Sequence, residues 1–364
     1  MFSKKLAAPL ALVAASVIAF SGCAANEAAA PATSGGAASG LNGRLTGKGA
    51  SSMSVAQTTW IAAFQTANPG VTINYSPDGS GAGREAFASG AVQYAGSDRA
   101  LKDEEMGAGK FAVCAPDSNA LNLPVYVSPI AIIYKVDGVT DLKLDADTTA
   151  KIFAGKITTW NDPAIAALNP GANLPSATIT AVHRSDDSGT TENFTDYLAQ
   201  AAPSVWNQKS AGIWPDAFPG EAAKGTAGVV GAVQSGNNTI GYADESQAGS
   251  LGKAQIKVGN EFFGPTAEAA AKLVDNATKV SGRSANDWAL KLDRTAQGQY
   301  PIALVSYALV CEHYADSSVA NLVKSYVGYI ASDAGQKAAQ AKAGNAPLSA
   351  DMQAKLKTSI DSIK

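Results

Sequence analysis

The stretch SVAQTTWIAAFQTANPG, Ser54 to Gly70, runs directly into VTINYSP, Val71 to Pro77, and this junction decides the fold class. Val55, Trp60, Ala63 and Phe64 recur near helical spacing, and Asn68-Pro69-Gly70 stops the helix because proline cannot continue it. VTINYSP then reads as a strand. Working outward, AVQYAGSDRA (91–100), PVYVSPIAIIYKV (124–136), ATITAVHRS (177–185) and PIALVSYALV (301–310) read as further strands. Helices are predicted at DADTTAKIFAG (145–155), TTENFTDYLAQ (190–200), SSVANLVKSYVGYIASDAGQKAAQ (317–340) and SADMQAKLKTSI (349–360). Strands alternating with helices over this length indicate an α/β architecture with mostly parallel sheets. No internal repeat is visible.

A chain of 364 residues, 46% hydrophobic and 16% charged, can bury a sizeable core in one large or two ordinary domains. Its formal charge of -3 supplies no broad basic surface for nucleic acid or anionic lipid. An anion recognised by this chain has to be small and held by local groups.

The N-terminus carries Lys4 and Lys5, then the apolar run LAAPLALVAASVIAF, then Ser-Gly-Cys ending at Cys23. This is the layout of a secretory signal, so residues 1–22 are expected to be a signal peptide. The ending resembles a bacterial lipobox, with Phe20 where leucine is usual, which implies lipidation of Cys23; an ordinary signal peptide is the alternative. Residues 23–42, rich in Ala, Gly, Ser and Pro, form the expected lipid-anchored flexible tether. With Cys23 lipidated, Cys114 and Cys311 remain, and in an oxidising compartment an even remainder suggests one disulfide, against two buried free thiols.

Three loops share one physical character. TGKGASSM (46–53), PDGSGAGRE (77–85) and DDSGTTENF (186–194) each place small donors ahead of a helix, where free amides and the positive end of the helix dipole face outward. Singly, each reads as well as an ordinary N-cap. Together, with Arg184 beside the third, they could converge on a tetrahedral oxyanion. GSGAGRE lacks the Lys-Ser/Thr pair of a P-loop, and the frame of a dinucleotide-binding fingerprint fails. His183 and His313 have no carboxylate or cysteine at ligand spacing, so no metal or other cofactor is expected. No G-x-S-x-G elbow is present, so the chain does not read as an enzyme. KDEEMGAGK (102–110) reads as an exposed turn.

The segments LTGKGASS, GSGAGRE, YAGSDRAL, VYVSPIAIIY, IFAGKITTWNDPAIAALNPGANLP, VHRSDDSGTTENFTDYL and NNTIGYADESQA resemble the PstS family, the phosphate-binding lipoproteins of bacterial phosphate ABC transporters. The resemblance covers nearly all of residues 45–248. It implies a two-lobed type II periplasmic binding protein, each lobe a mostly parallel sheet flanked by helices, with two crossovers as the hinge. Residues 43–124 plus 300–364 would form lobe I and 125–299 lobe II, with Cys114 and Cys311 in the same lobe.

By the same resemblance, phosphate is held by Ser51, the amide of Ser52, Ser80, Asp98, Arg184, Ser188, Gly189 and Thr190, with Asp186 orienting the arginine. Ser51-Ser52 stands where relatives often have Thr-Phe. Arg184 can offer a bidentate fork while Asp186 offsets its charge. Asp98 repels a dianion unless the ligand brings a proton, which phosphate does near neutral pH and sulfate does not. Read without the resemblance, Asp98 could equally pair with Arg99 or cap a helix. Asp187 is expected to be a solvated helix-start residue.

The implied partners are inorganic phosphate and an ABC permease with its cytoplasmic ATPase, at the extracytoplasmic face of the cell membrane, with the chain a lipid-anchored monomer. A phosphomonoesterase built on the same pocket and an adhesin-like lipoprotein without transport are the readings from other classes.

Overall fold

The computed structural model describes residues 40–364. The signal peptide, Cys23 and most of the tether lie outside the described residues. Nine strands build the main sheet: β1 Gly43–Gly49, β2 Val71–Ser76, β3 Tyr94–Ser97, β4 Ala120–Lys135, β6 Thr180–Arg184, β7 Glu221–Ala223, β8 Thr239–Asp244, β9 Gly252–Lys253 and β14 Ala303–Cys311. A three-stranded sheet joins β5 Lys143–Leu144, β10 Gln255–Val258 and β11 Glu261–Phe263, and β12 Thr278–Lys279 pairs with β13 Leu290–Lys291. The helices are α1 Ser54–Ala67, α2 Ser80–Ala88, α3 Ala146–Phe153, α4 Pro163–Leu168, α5 Gly189–Ala201, α6 Gly225–Ser235, α7 Ala267–Asp275, α8 Ser317–Ala331, α9 Asp333–Ala343 and α10 Ala350–Asp361.

The main sheet runs β2-β1-β3-β14-β4-β8-β6-β7, with β9 also on β4. It is parallel at its two ends, β2-β1-β3 and β8-β6-β7, and antiparallel through the middle. The architecture is therefore α/β with a mixed sheet. β4 spans that middle. Its Ala120–Pro129 half pairs with β14 and its Ile130–Lys135 half with β8, and all but its last residue are buried. A strand buried along its length reads as an apolar run rather than an alternation. Pro124 falls at a ladder irregularity and Pro129 at the change of partner, which is where a strand tolerates a residue without an amide hydrogen.

α1 forms because Ala56, Gln57, Trp60 and Phe64 make one buried face, and the Asn68 side chain closes it by donating to the Phe64 carbonyl at 2.9 Å. The segment predicted as one helix over 317–340 is two, broken at Ser332. Ser332 Oγ caps α9 by accepting the Gly335 amide, and Gly335 presses so close to the Tyr329 carbonyl that a Cβ there would lie 2.1 Å from it. α6, GTAGVVGAVQS, went unread because glycine masks its helical period. Thr46–Gly49 belongs to β1, so the first of the three loops begins only at Ala50.

Cys114 and Cys311 form a disulfide across a sequence separation of 197 residues. In the chain-entropy account a loop of that size stabilises the fold by about 5 kcal/mol.

Candidate functional site

β6 ends at Arg184, and five residues later α5 starts at Gly189, so the guanidinium and the helix N-terminus meet at one point. Arg184 is buried; its Nε donates to Asp186 Oδ1 at 2.7 Å and its Nη2 to Oδ2 at 2.5 Å. The Gly225 amide, at the start of α6, donates to the same Oδ1 at 3.0 Å. Burial opposes the Asp186 charge, but the hydrogen bonds and charge of Arg184 and the Gly225 amide outweigh it and hold the carboxyl below the usual aspartate range. Two of the five guanidinium hydrogens are used this way, which leaves donors for a ligand and little net charge.

Asp98 follows β3 and is 2% exposed. Its Oδ1 accepts from Ser52 Oγ at 2.6 Å and from Ser306 Oγ at 2.8 Å, and its Oδ2 accepts from Thr190 Oγ1 at 2.9 Å. Its amide donates to Ser80 Oγ at 3.1 Å, and its carbonyl accepts from Asn193 Nδ2 at 2.6 Å. Arg99 turns away. Its Nη1 and Nη2 donate to Glu105, and its Nε lies 2.7 Å from a Glu192 carboxylate oxygen, a charge contact in which the hydrogen is not aimed along the line. The pairing of Asp98 with Arg99 is thus not made, and the carboxylate faces hydroxyls.

The hydroxyls divide by what they have left to give. Ser80 Oγ accepts the Asp98 amide and Ser188 Oγ accepts the Thr191 amide, so both keep their protons free to donate. Ser51 Oγ accepts the Thr226 amide at 3.0 Å and lies 3.0 Å from Thr226 Oγ1. Thr190 directs its proton to Asp98. Gly189 and Thr190 open α5, where amides have no carbonyl of their own helix to meet. At Gly189 a Cβ would lie 2.6 Å from Asp98 Cβ and 2.7 Å from Ser80 Oγ; at Gly79, with φ +104°, it would lie 2.4 Å from Asp186 Oδ2. Only glycine lets these loops come together.

All eight proposed ligand residues are buried, and with the partly buried Asp186 they form one cluster. Reading the sequence alone missed Ser306, Thr226, Asn193, and Gln247, whose Nε2 donates to the carbonyls of Ser51 and Ser52 at 2.9 and 3.1 Å. Ser306 had a signal, a hydroxyl inside the apolar strand ALVSYALVC, because a buried hydroxyl needs a partner. Two expectations change. Asp187 is not simply solvated: its carboxylate accepts from Arg84 Nη2 at 2.9 Å. The exposed turn of KDEEMGAGK contains the short helix Asp103–Glu105, and Glu105 receives Arg99; although burial opposes its charge, Arg99 and the Lys102 amide pull its carboxyl down to about 2.

His183 stacks on Trp214 at 4.8 Å, and its Nδ1 lies 3.0 Å from the Arg184 carbonyl. Among the described residues no group of three or more His, Cys, Asp or Glu is placed to hold a metal ion. No helix among them is long and apolar enough to cross a membrane.

Residues 26–334 match the family model described as the PBP superfamily domain. The chain is 35% identical over 376 residues to phosphate-binding protein PstS 3 of Mycobacterium tuberculosis strain H37Rv, with 99% of each chain covered. It is 38% identical over 321 residues to PstS 3 of Mycobacterium leprae, covering 84% of this chain and 85% of the relative. A solved high-affinity periplasmic phosphate-binding protein, PfluDING with phosphate bound, superposes with a TM-score of 0.68 at 19% identity, covering 87% and 93% of the two chains, a likeness of fold. Relatedness over essentially the whole length, on a fold of the same kind, leads to one conclusion: the chain belongs to the PstS family of phosphate-binding proteins, within the PBP superfamily.

Proposed function

We propose that this chain binds one inorganic phosphate at the Asp98–Arg184 cluster and delivers it to a membrane ABC permease, powered by a cytoplasmic ATPase, for import. One observation carries the reading: a buried carboxylate stands among donors, beside an arginine whose charge is already offset. Such a set suits an oxyanion that still carries a proton and rejects one that does not. Ser51, Ser80 and Ser188 contribute hydroxyls, Ser52, Gly189 and Thr190 amides, Arg184 its remaining guanidinium hydrogens, and Asp98 the acceptor. Recognition then needs no turnover; the relatives are named for binding phosphate and not for an enzymatic activity, and nothing favours a phosphomonoesterase or an adhesin on this fold.

PstS-type binding proteins are extracytoplasmic. In our reading Cys23 carries the lipid anchor, residues up to 42 form the tether, and the mature chain acts as a monomer. Residues 43–124 with 300–364 move as one lobe and 125–299 as the other. β4 is one continuous strand across this boundary, with a bulge at Val125 and a change of partner at Pro129–Ile130, so the pivot within it is best sought between those two points. Closure around phosphate is the shape that a permease would sense.

Calorimetric titration of the phosphate-stripped chain lacking residues 1–23 tests the proposal. Tight phosphate binding with sulfate excluded is expected, with the exclusion relaxed in Asp98→Asn. Absence of both phosphate heat and competition would overturn it.

A further inference from the structure

Ser306 comes from the last strand of the main sheet, 208 residues beyond Asp98, yet its hydroxyl meets that carboxylate at 2.8 Å and the residue is fully buried. Two features of the sheet place it there. β14 is antiparallel to β3 with Tyr307 opposite Ser97, so the next rung sets Ser306 opposite Asp98. On its other side the β14–β4 ladder slips between Ser306 and Tyr307: Ser306 faces Tyr126 and Tyr307 faces Pro124, leaving Val125 as an extra residue. Bulges of this kind gather beside functional sites, where they re-aim a side chain.

A carboxylate oxygen has two lone pairs. Asp98 Oδ1 accepts from both Ser52 and Ser306, and Oδ2 accepts from Thr190 alone. We infer that Ser306 is a specificity-positioning residue: with Ser52 it saturates Oδ1 and fixes the carboxylate plane, leaving Oδ2 as the oxygen with capacity for the ligand's proton. This rests on Asp98 being the proton-reading group. Without the Ser306 donor only Ser52 and Thr190 hold the carboxylate, and a lone pair of Oδ1 is freed, so the acceptor set against an oxyanion that brings no proton is less sharply aimed. Ser306 touches Asp98 and acts through it.

The test compares phosphate and sulfate affinities, by calorimetry and competition, in wild type, Ser306→Ala, Ser306→Thr and Asp98→Asn, with melting temperatures of the ligand-free proteins. Ser306→Ala is expected to lower the ratio of phosphate to sulfate affinity by about tenfold, roughly 1.4 kcal/mol. Ser306→Thr, which keeps the hydroxyl, should restore it. A hydroxyl with a merely structural role would lower the melting temperature and leave the ratio alone. An unchanged ratio in Ser306→Ala while Asp98→Asn relaxes it overturns the role of Ser306 by itself; an unchanged ratio in Asp98→Asn overturns the reading of Asp98 and this inference with it.

Discussion

Gly189 stands where no side chain can, because a Cβ would come within 2.6 Å of Asp98 Cβ and 2.7 Å of Ser80 Oγ. Gly189→Ala must therefore push α5 away from Asp98 and carry the Gly189 and Thr190 amides with it. Phosphate affinity is expected to fall by at least about tenfold, the equivalent of one misplaced charge-assisted hydrogen bond, with the far-ultraviolet spectrum unchanged. Wild-type affinity in a folded Gly189→Ala protein would remove α5 from the binding site. At this scale the sequence was informative where the chemistry is local. Arg184, Asp186, Ser188 and Gly189 sit within six residues, and the Arg184–Asp186 pair was implied by the resemblance of that stretch to the PstS family. Ser306 and Thr226 could not, because their partners lie 208 and 175 residues away and only the sheet register brings them together.

Among the elements, β8 ends on Asp244, opposite Ile130 where β4 changes partner. The carboxylate is fully buried, accepts from Tyr126 Oη at 3.1 Å and from the Ser246 amide at 3.0 Å, and burial, reinforced by Asp98 against the pull of the Ser246 and Ser128 hydroxyls, pushes it up to about 7. An unfolded aspartate titrates at about 3.9. The native state thus holds a proton that the unfolded chain releases between those values. Stability from this group is fully present below about pH 4 and is lost as pH rises through about 7. Urea unfolding of wild type and Asp244→Asn from pH 5 to 8 should show the wild type losing on the order of 2 kcal/mol relative to the variant. Parallel profiles would mean that Asp244 is charged throughout. Element types were legible where apolar period and stop signals agree, as in α1 and β2. The glycine-rich α6 and the break at Ser332 were not, since a glycine with no side chain carries no period and the break is set by the packing of Gly335 on Tyr329.

Across the whole molecule, ion pairs join residues 43–124 to residues 125–299: Arg84 with Asp187 at 2.9 Å, Arg99 with Glu192 at 2.7 Å, Arg283 with Asp103 at 2.8 Å, and Lys102 with Glu192 at 3.4 Å. Arg84 and Arg99 have side chains only 7% and 14% exposed, while Asp187 is 40% exposed, so solvent screens the first pair from one side. Pairs of this kind contribute about 0.2–1 kcal/mol each and weaken as salt shortens the screening length. If the two parts are lobes that separate to release ligand, the pairs must break before phosphate leaves. They then act on the dissociation rate, and by a small factor. Stopped-flow release from Asp187→Asn should be about two- to fivefold faster than from wild type at low salt. Raising potassium chloride from about 0.05 to 0.5 M should speed wild-type release and affect the variant less. Arg84 keeps Ser97 and Glu105 as partners in the variant, so the fold is not left with an orphaned buried charge. Equal release rates and equal salt slopes in the two proteins would show that these pairs stay closed while the ligand departs, and the opening would have to be sought at the β4 pivot without them.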